Sequence, residues 1–175
     1  MKKFILIAFV ASGISSPLIA ESAEHWYVEE NRDSFVASIN GEITFGDRLS
    51  VRFSPDDCHN LDMFLTVTTA VNDPNWEALE VVNNYLPITW NGELGRVILV
   101  KTFPFLNYEV AHINLGHYEI GNLIEVMNST DEITIEIVDF NFFVASEYFD
   151  IPTNYWTTNG AVIAFTEAYT RCNLN

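Results

Sequence analysis

Residues 48–69 read RLSVRFSPDDCHNLDMFLTVTT, and two alternating runs joined by a turn decide the class of the chain. In the first run Leu49, Val51 and Phe53 point one way and Ser50 and Arg52 the other, the period of two that marks a half-buried strand. The SPDD that follows is a tight-turn sequence, because Pro presets φ and an Asp side chain can bond the backbone ahead of it. In the second run Met63, Leu65 and Val67 oppose Phe64, Thr66 and Thr68, which predicts a central strand.

The same grammar extends in both directions. Upstream, Trp26 and Val28 oppose Tyr27 and Glu29, Asn31 to Asp33 supply a turn, and a strand over Ser34 to Ile39 leads to the hairpin dipeptide Asn40-Gly41 and a partner over Glu42 to Phe45. Downstream, Glu77 to Val82 and Tyr85 to Trp90 read as two strands, and Asn91-Gly92 is a second hairpin signal. Arg96 to Phe105 is a further strand that Pro104 must end or place at an edge. The period then changes. Ile120, Leu123, Ile124 and Met127 recur at three and four residues, predicting a short helix between Gly116 and Asn128. Asp131 to Phe140 returns to alternation, with Phe142 to Ile151 as its expected hairpin partner. At the C-terminus Ala161, Ala164, Phe165, Ala168, Tyr169 and Cys172 form a helical stripe that Thr157 or Thr158 can cap. Seven to ten short strands with a mid-chain helix and a terminal helix imply an antiparallel β-sandwich or barrel with the last helix packed over one end.

The first twenty residues, MKKFILIAFVASGISSPLIA, have the form of a secretory signal: Lys2 and Lys3, an apolar run from Phe4 to Val10, then Gly, Ser and Pro. That run falls well short of the roughly 20 apolar residues of a membrane span. Residues 21–175 are then expected to be one exported β-rich domain, periplasmic or secreted in a bacterium, with no membrane anchor after cleavage. Two of the eight basic residues lie in the signal, and the rest of the chain sets six Lys and Arg against 24 Asp and Glu, a net charge of −18. So strong an excess opposes binding to nucleic acid and suits a cationic protein partner.

Cys58 and Cys172 are the two cysteines, and in an oxidising compartment they are expected to pair, tying the C-terminal helix to the first third of the domain. Four histidines, His25, His59, His112 and His117, show no metal-ligand spacing, and neither a nucleophile-elbow nor a phosphate-loop motif is present. No catalytic residue, metal or cofactor is assigned on these grounds. The aromatic residues are more suggestive. Phe103, Phe105 and Tyr108 form one group, and Phe140, Phe142, Phe143, Tyr148, Phe149, Tyr155 and Trp156 a second that is the candidate binding surface.

The segments HWYVEE, RLSVRFSPDDC, YFDIP and NGAVIAFTEAYTRC occur in an order that resembles exported bacterial β-sandwich proteins of the invasion-associated locus B and type VI secretion-associated TagO (VasI)-like kind. That resemblance implies a periplasmic sandwich with a disulfide-tethered terminal helix and transfers no catalytic residue. The function expected is that of a non-enzymatic binding protein contacting another protein through an acidic or aromatic surface, with an inhibitor or immunity protein as its narrower form. A carrier of small apolar ligands and a hydrolase with a dispersed site are the alternatives.

Overall fold

The computed structural model describes residues 25–44, 46–80, 83–141 and 143–174, so the expected export signal and Phe142 lie outside the described residues. The strands are β1 (Tyr27–Asn31), β2 (Ser34–Asn40), β3 (Arg48–Ser54), β4 (Asp57–Thr69), β5 (Tyr85–Trp90), β6 (Glu93–Phe105), β7 (Tyr108–Glu119), β8 (Glu132–Ile137) and β9 (Thr153–Thr157). Among the described residues there are also the single turn α1 (Glu77–Glu80), α2 (Ile120–Ser129) between β7 and β8, and α3 (Ala161–Leu174) after β9.

All nine strands belong to one antiparallel sheet in the order β1-β2-β3-β4-β7-β6-β5-β8-β9. The expected sandwich or barrel resolves into neither form, since the described strands make no second sheet and no ladder joins the two ends of the first. The ends nevertheless approach each other. Trp26 Nε1 donates to Thr157 O at 2.9 Å, and Glu42 N to Tyr155 O at 3.2 Å. One physical source of this curl is a pair of bulges, at Leu115 in β7 and Val100 in β6, where an extra residue increases local twist. Gly116 follows the first bulge at φ +130, a conformation closed to most side chains.

The inner face carries the alternating residues of the sequence: Leu49, Val51, Phe53, Met63, Leu65, Ile113, Ile133 and Ile135 are all buried. Against them lies α3, whose Ala161, Ala164, Phe165, Ala168 and Cys172 are buried as the helical stripe requires. Phe165 meets Trp26 edge-on at 5.2 Å and packs beside Phe53. The Cys58–Cys172 disulfide ties the last turn of this helix to the start of β4 across 114 residues, a closure worth on the order of 4 kcal/mol in chain entropy.

Several local expectations are corrected. Glu77–Glu80 is helical, not a strand. Residues 41–44 form a loop instead of the strand expected there, and β2 pairs with β3 across the longer connection. β8 pairs with β5 and β9, while the described part of the region expected to pair with it holds an isolated Phe140–Phe143 bridge and a 3-10 turn over Ala145–Glu147. Thr158 does not cap α3 with its hydroxyl, which donates instead to Thr130 O. The Asn91-Gly92 turn is formed as expected, with φ of 48 and 85. β7, in the middle of the sheet, was not expected from the sequence: Ala111 and Ile113 do alternate with outward His112 and Asn114, but the bulge at Leu115 reverses the phase beyond them and leaves the alternating run short.

Candidate functional site

β6 continues past its partner on one side. β5 pairs with it only from Glu93 to Ile98, so among the described residues β7 is the one strand laddered to it from Lys101 to Phe105. This is the edge that Pro104 requires, since Pro offers no N–H to a ladder. Around Lys101 the outward side chains of β6 are apolar: Leu94, Ile98, Val100, Phe103 and Phe105 are exposed, with Phe105 at 58%. The two-residue turn adds Leu106, 84% exposed, and Tyr108 follows it. Leu106 also has φ +57, a left-handed conformation in which a Leu side chain is strained. A single exposed Leu needs no explanation, whereas an uncovered row on one strand and its turn does.

The second aromatic group divides. Phe143, Tyr148, Phe149 and Trp156 are buried, with Phe143 stacked on Tyr148 at 5.2 Å and Trp76 against both Tyr148 and Phe149. They are core, and cannot present a surface. Phe140 and Tyr155 remain half exposed. Phe140 lines an open groove of about 320 Å³ with Tyr85, Pro87 and Arg96, whose guanidinium lies 5.3 Å from the Phe140 ring centre. Exposed Leu94, Ile98, Val100 and Leu106 were missed in the sequence. The available signal was the turn Phe105-Leu106-Asn107-Tyr108, apolar where turns are ordinarily polar.

A buried polar cluster sits where the sheet ends approach. Asp47 is 1% exposed and accepts from Thr68 N at 2.8 Å and from Asn154 Nδ2 at 2.9 Å. Asn154 Oδ1 in turn accepts from Ile43 N at 3.0 Å. Burial pushes the Asp47 carboxyl up to about 6, against the opposing bonds from Asn154 and Thr68, and nearby Asp150 raises it further. Gly41 is required beside this cluster, because a Cβ there would lie within van der Waals overlap of Asn154. Every donor and acceptor named here has a partner, which makes the cluster a structural clasp.

The histidines do not converge. His59 packs on Tyr169, His117 Nδ1 pairs with Asp62 Oδ1 at 2.6 Å on the open sheet face, and His112 bonds Thr66 Oγ1 at 3.3 Å. Among the described residues no three His, Cys, Asp or Glu side chains are grouped to hold a metal ion. In the turn before Cys58, Asp57 accepts from His59 N, Asn60 N and Asn60 Nδ2. Those bonds, the Asn60 side chain first, hold its carboxyl below the usual value. Comparison with protein-family models, curated proteins and solved structures finds no match to the chain.

Proposed function

We propose that the chain is a non-enzymatic exported binding module that contacts another protein through the outward side of β6 and the β6–β7 hairpin. The observation that carries this reading is the coincidence at Leu106 of near-complete exposure with a strained backbone, flanked by exposed Phe103, Phe105 and Tyr108. Apolar exposure and backbone strain both oppose stability, and a contact surface is the ordinary reason for a sequence to keep them together. The aromatic part of the expected surface is thereby moved from the late segments to the hairpin. An inhibitor or immunity protein remains the narrower form of the reading, and the strong acidity of the chain favours a partner of cationic character elsewhere on its surface. The resemblance to exported locus B and TagO-like proteins accords with the disulfide-tethered helix and with periplasmic or secreted localisation.

The test compares capture from periplasmic extract by the native protein and by the doubly substituted Phe105→Ser, Leu106→Ser protein. A discrete protein bound by the first and at least about tenfold weaker on the second is expected, with both unfolding at similar denaturant concentration. Equal capture by the two removes the hairpin from the contact. The carrier alternative rests on the groove beside Phe140; a thermal shift of several degrees with an apolar compound, lost in Phe140→Ser, would replace the protein-binding reading.

A further inference from the structure

Four of the six basic residues beyond position 20 sit on strands β3 and β6, at positions that alternate to the outer face: Arg48, Arg52, Arg96 and Lys101. Scattered in sequence, two of them are gathered by register with a histidine between them. Arg48 pairs with Thr66, Thr66 with His112 and His112 with Lys101, a straight row across β3, β4, β7 and β6. At the usual strand spacing the two ends of the row are about 14 Å apart at Cα. Arg48 reaches Glu29 and the Lys101 ammonium lies over the Phe103 ring, 5.5 Å from its centre, so the two long side chains swing inward from these contacts to meet over Thr66 and His112.

We propose that this row is a binding site for a small dianionic oxyanion, with Arg48 and Lys101 closing on it from either end and the Thr66–His112 pair beneath it. The site borders the proposed hairpin surface at Lys101 and Phe103 but needs no protein partner. The His112 ring is oriented by stacking on Phe64, 4.7 Å between centres and 13° between planes, and the Arg52 guanidinium lies 5.2 Å from the same Phe64 ring. Thr66 Oγ1 and His112 Nδ1 are 3.3 Å apart. With a neutral imidazole the pair owns two polar hydrogens and uses one between its members. Whichever tautomer is present, one donor is left over for a ligand.

The surrounding charges favour an anion at this point. Burial first, then the fields of Lys101, Arg48 and Arg52, hold His112 below its ordinary value, so three cations bear on one ring. Facing them are Glu29 from β1, which reaches Arg48 at 3.4 Å with both side chains exposed, and Asp62 from β4, engaged by Arg52 and His117. Lys101 makes no ion pair among the described residues. The Glu29 pair is of the exposed kind that a better-placed anion displaces easily. The acidic excess elsewhere is screened over roughly 8 Å at physiological ionic strength, leaving the local row to decide.

NMR of the histidine rings tests the site, with sodium phosphate replacing sodium chloride at constant ionic strength. The expected result is a saturating shift of the His112 resonances and a rise in the pH at which that ring titrates, with His25 and His59 unmoved. Lys101→Ala and Arg48→Ala should each weaken the response by about tenfold. Arg171→Ala, the same charge change on α3, should leave it intact, and amide spectra show that each variant is folded. An equal response to chloride, a shift that does not saturate, or an undiminished response in folded Lys101→Ala overturns the proposal.

Discussion

Phe165 on α3 and Phe105 on β6 are the same residue type in the same domain, the first 0% exposed and the second 58%. Around Phe165 the inner side of the sheet is closed by a helix, a disulfide and a buried polar clasp. Around Phe105 the outer side is left open, on a strand that has lost its neighbour and a turn that holds a Leu in a left-handed conformation. The inner region follows the rules of stability throughout. The outer region breaks several of them in one place, and such local conflict is where function is to be sought.

The sharpest way to press that contrast is to truncate both rings. Phe165→Ala should lose about 3–5 kcal/mol in urea or guanidinium unfolding, since it leaves a cavity beside Trp26 and Phe53. Phe105→Ala should change stability by less than about 0.5 kcal/mol, the ordinary range for a surface site. Comparable losses at the two positions would mean that the outer hairpin is structural after all.

The clasp gives an effect of intermediate size with a defined sign in pH. Asp47 titrates at about 6 in the folded chain against 3.8 for the free carboxyl. Its folded value is the higher one, so the native state bears the cost of the buried charge above pH 6. That cost is relieved as the pH falls from 6 toward 4, when the folded chain takes up the proton first. The full shift corresponds to an upper limit of roughly 3 kcal/mol. Measured against Asp47→Asn across this window, the native protein should gain stability as the solution is acidified; parallel curves would show that the carboxyl is not held as described.

The smallest expected effect separates strain from contact. Leu106→Gly relieves the left-handed conformation at the turn and should raise stability by about 1 kcal/mol. The same change removes the most exposed apolar side chain of the hairpin and should weaken partner capture. A variant that is both steadier and a poorer binder would fix the trade between the two regions, whereas one that binds as well would assign Leu106 no part in the contact.

Much of the architecture was legible in the chain itself. The alternation of Leu49, Val51 and Phe53 against Ser50 and Arg52, the Asn91-Gly92 turn, the α2 and α3 stripes and the Cys58–Cys172 pair follow from local geometry and cysteine chemistry, which a sequence states directly. β7 was missed although Ala111 and Ile113 alternate with His112 and Asn114, since the bulge at Leu115 puts Gly116 and Tyr118 out of phase with them and cuts the period short. The candidate surface was legible only as a composition. Phe143, Phe149 and Trp156 look no different in sequence from Phe103 and Phe105, and exposure depends on which neighbours the folded chain brings over each ring.

By itself, then, the sequence determined the β class, the mid-chain and C-terminal helices and the pairing of the cysteines, because period, turn chemistry and thiol count act within or between a few residues. Tertiary structure alone decided that the strands make one curled sheet in place of two. It also decided that Asp47 is buried, that the late aromatics are core, and that Arg48, His112 and Lys101 share a row. Each of these is a matter of register between segments distant in the chain, and register is set by the whole sheet at once.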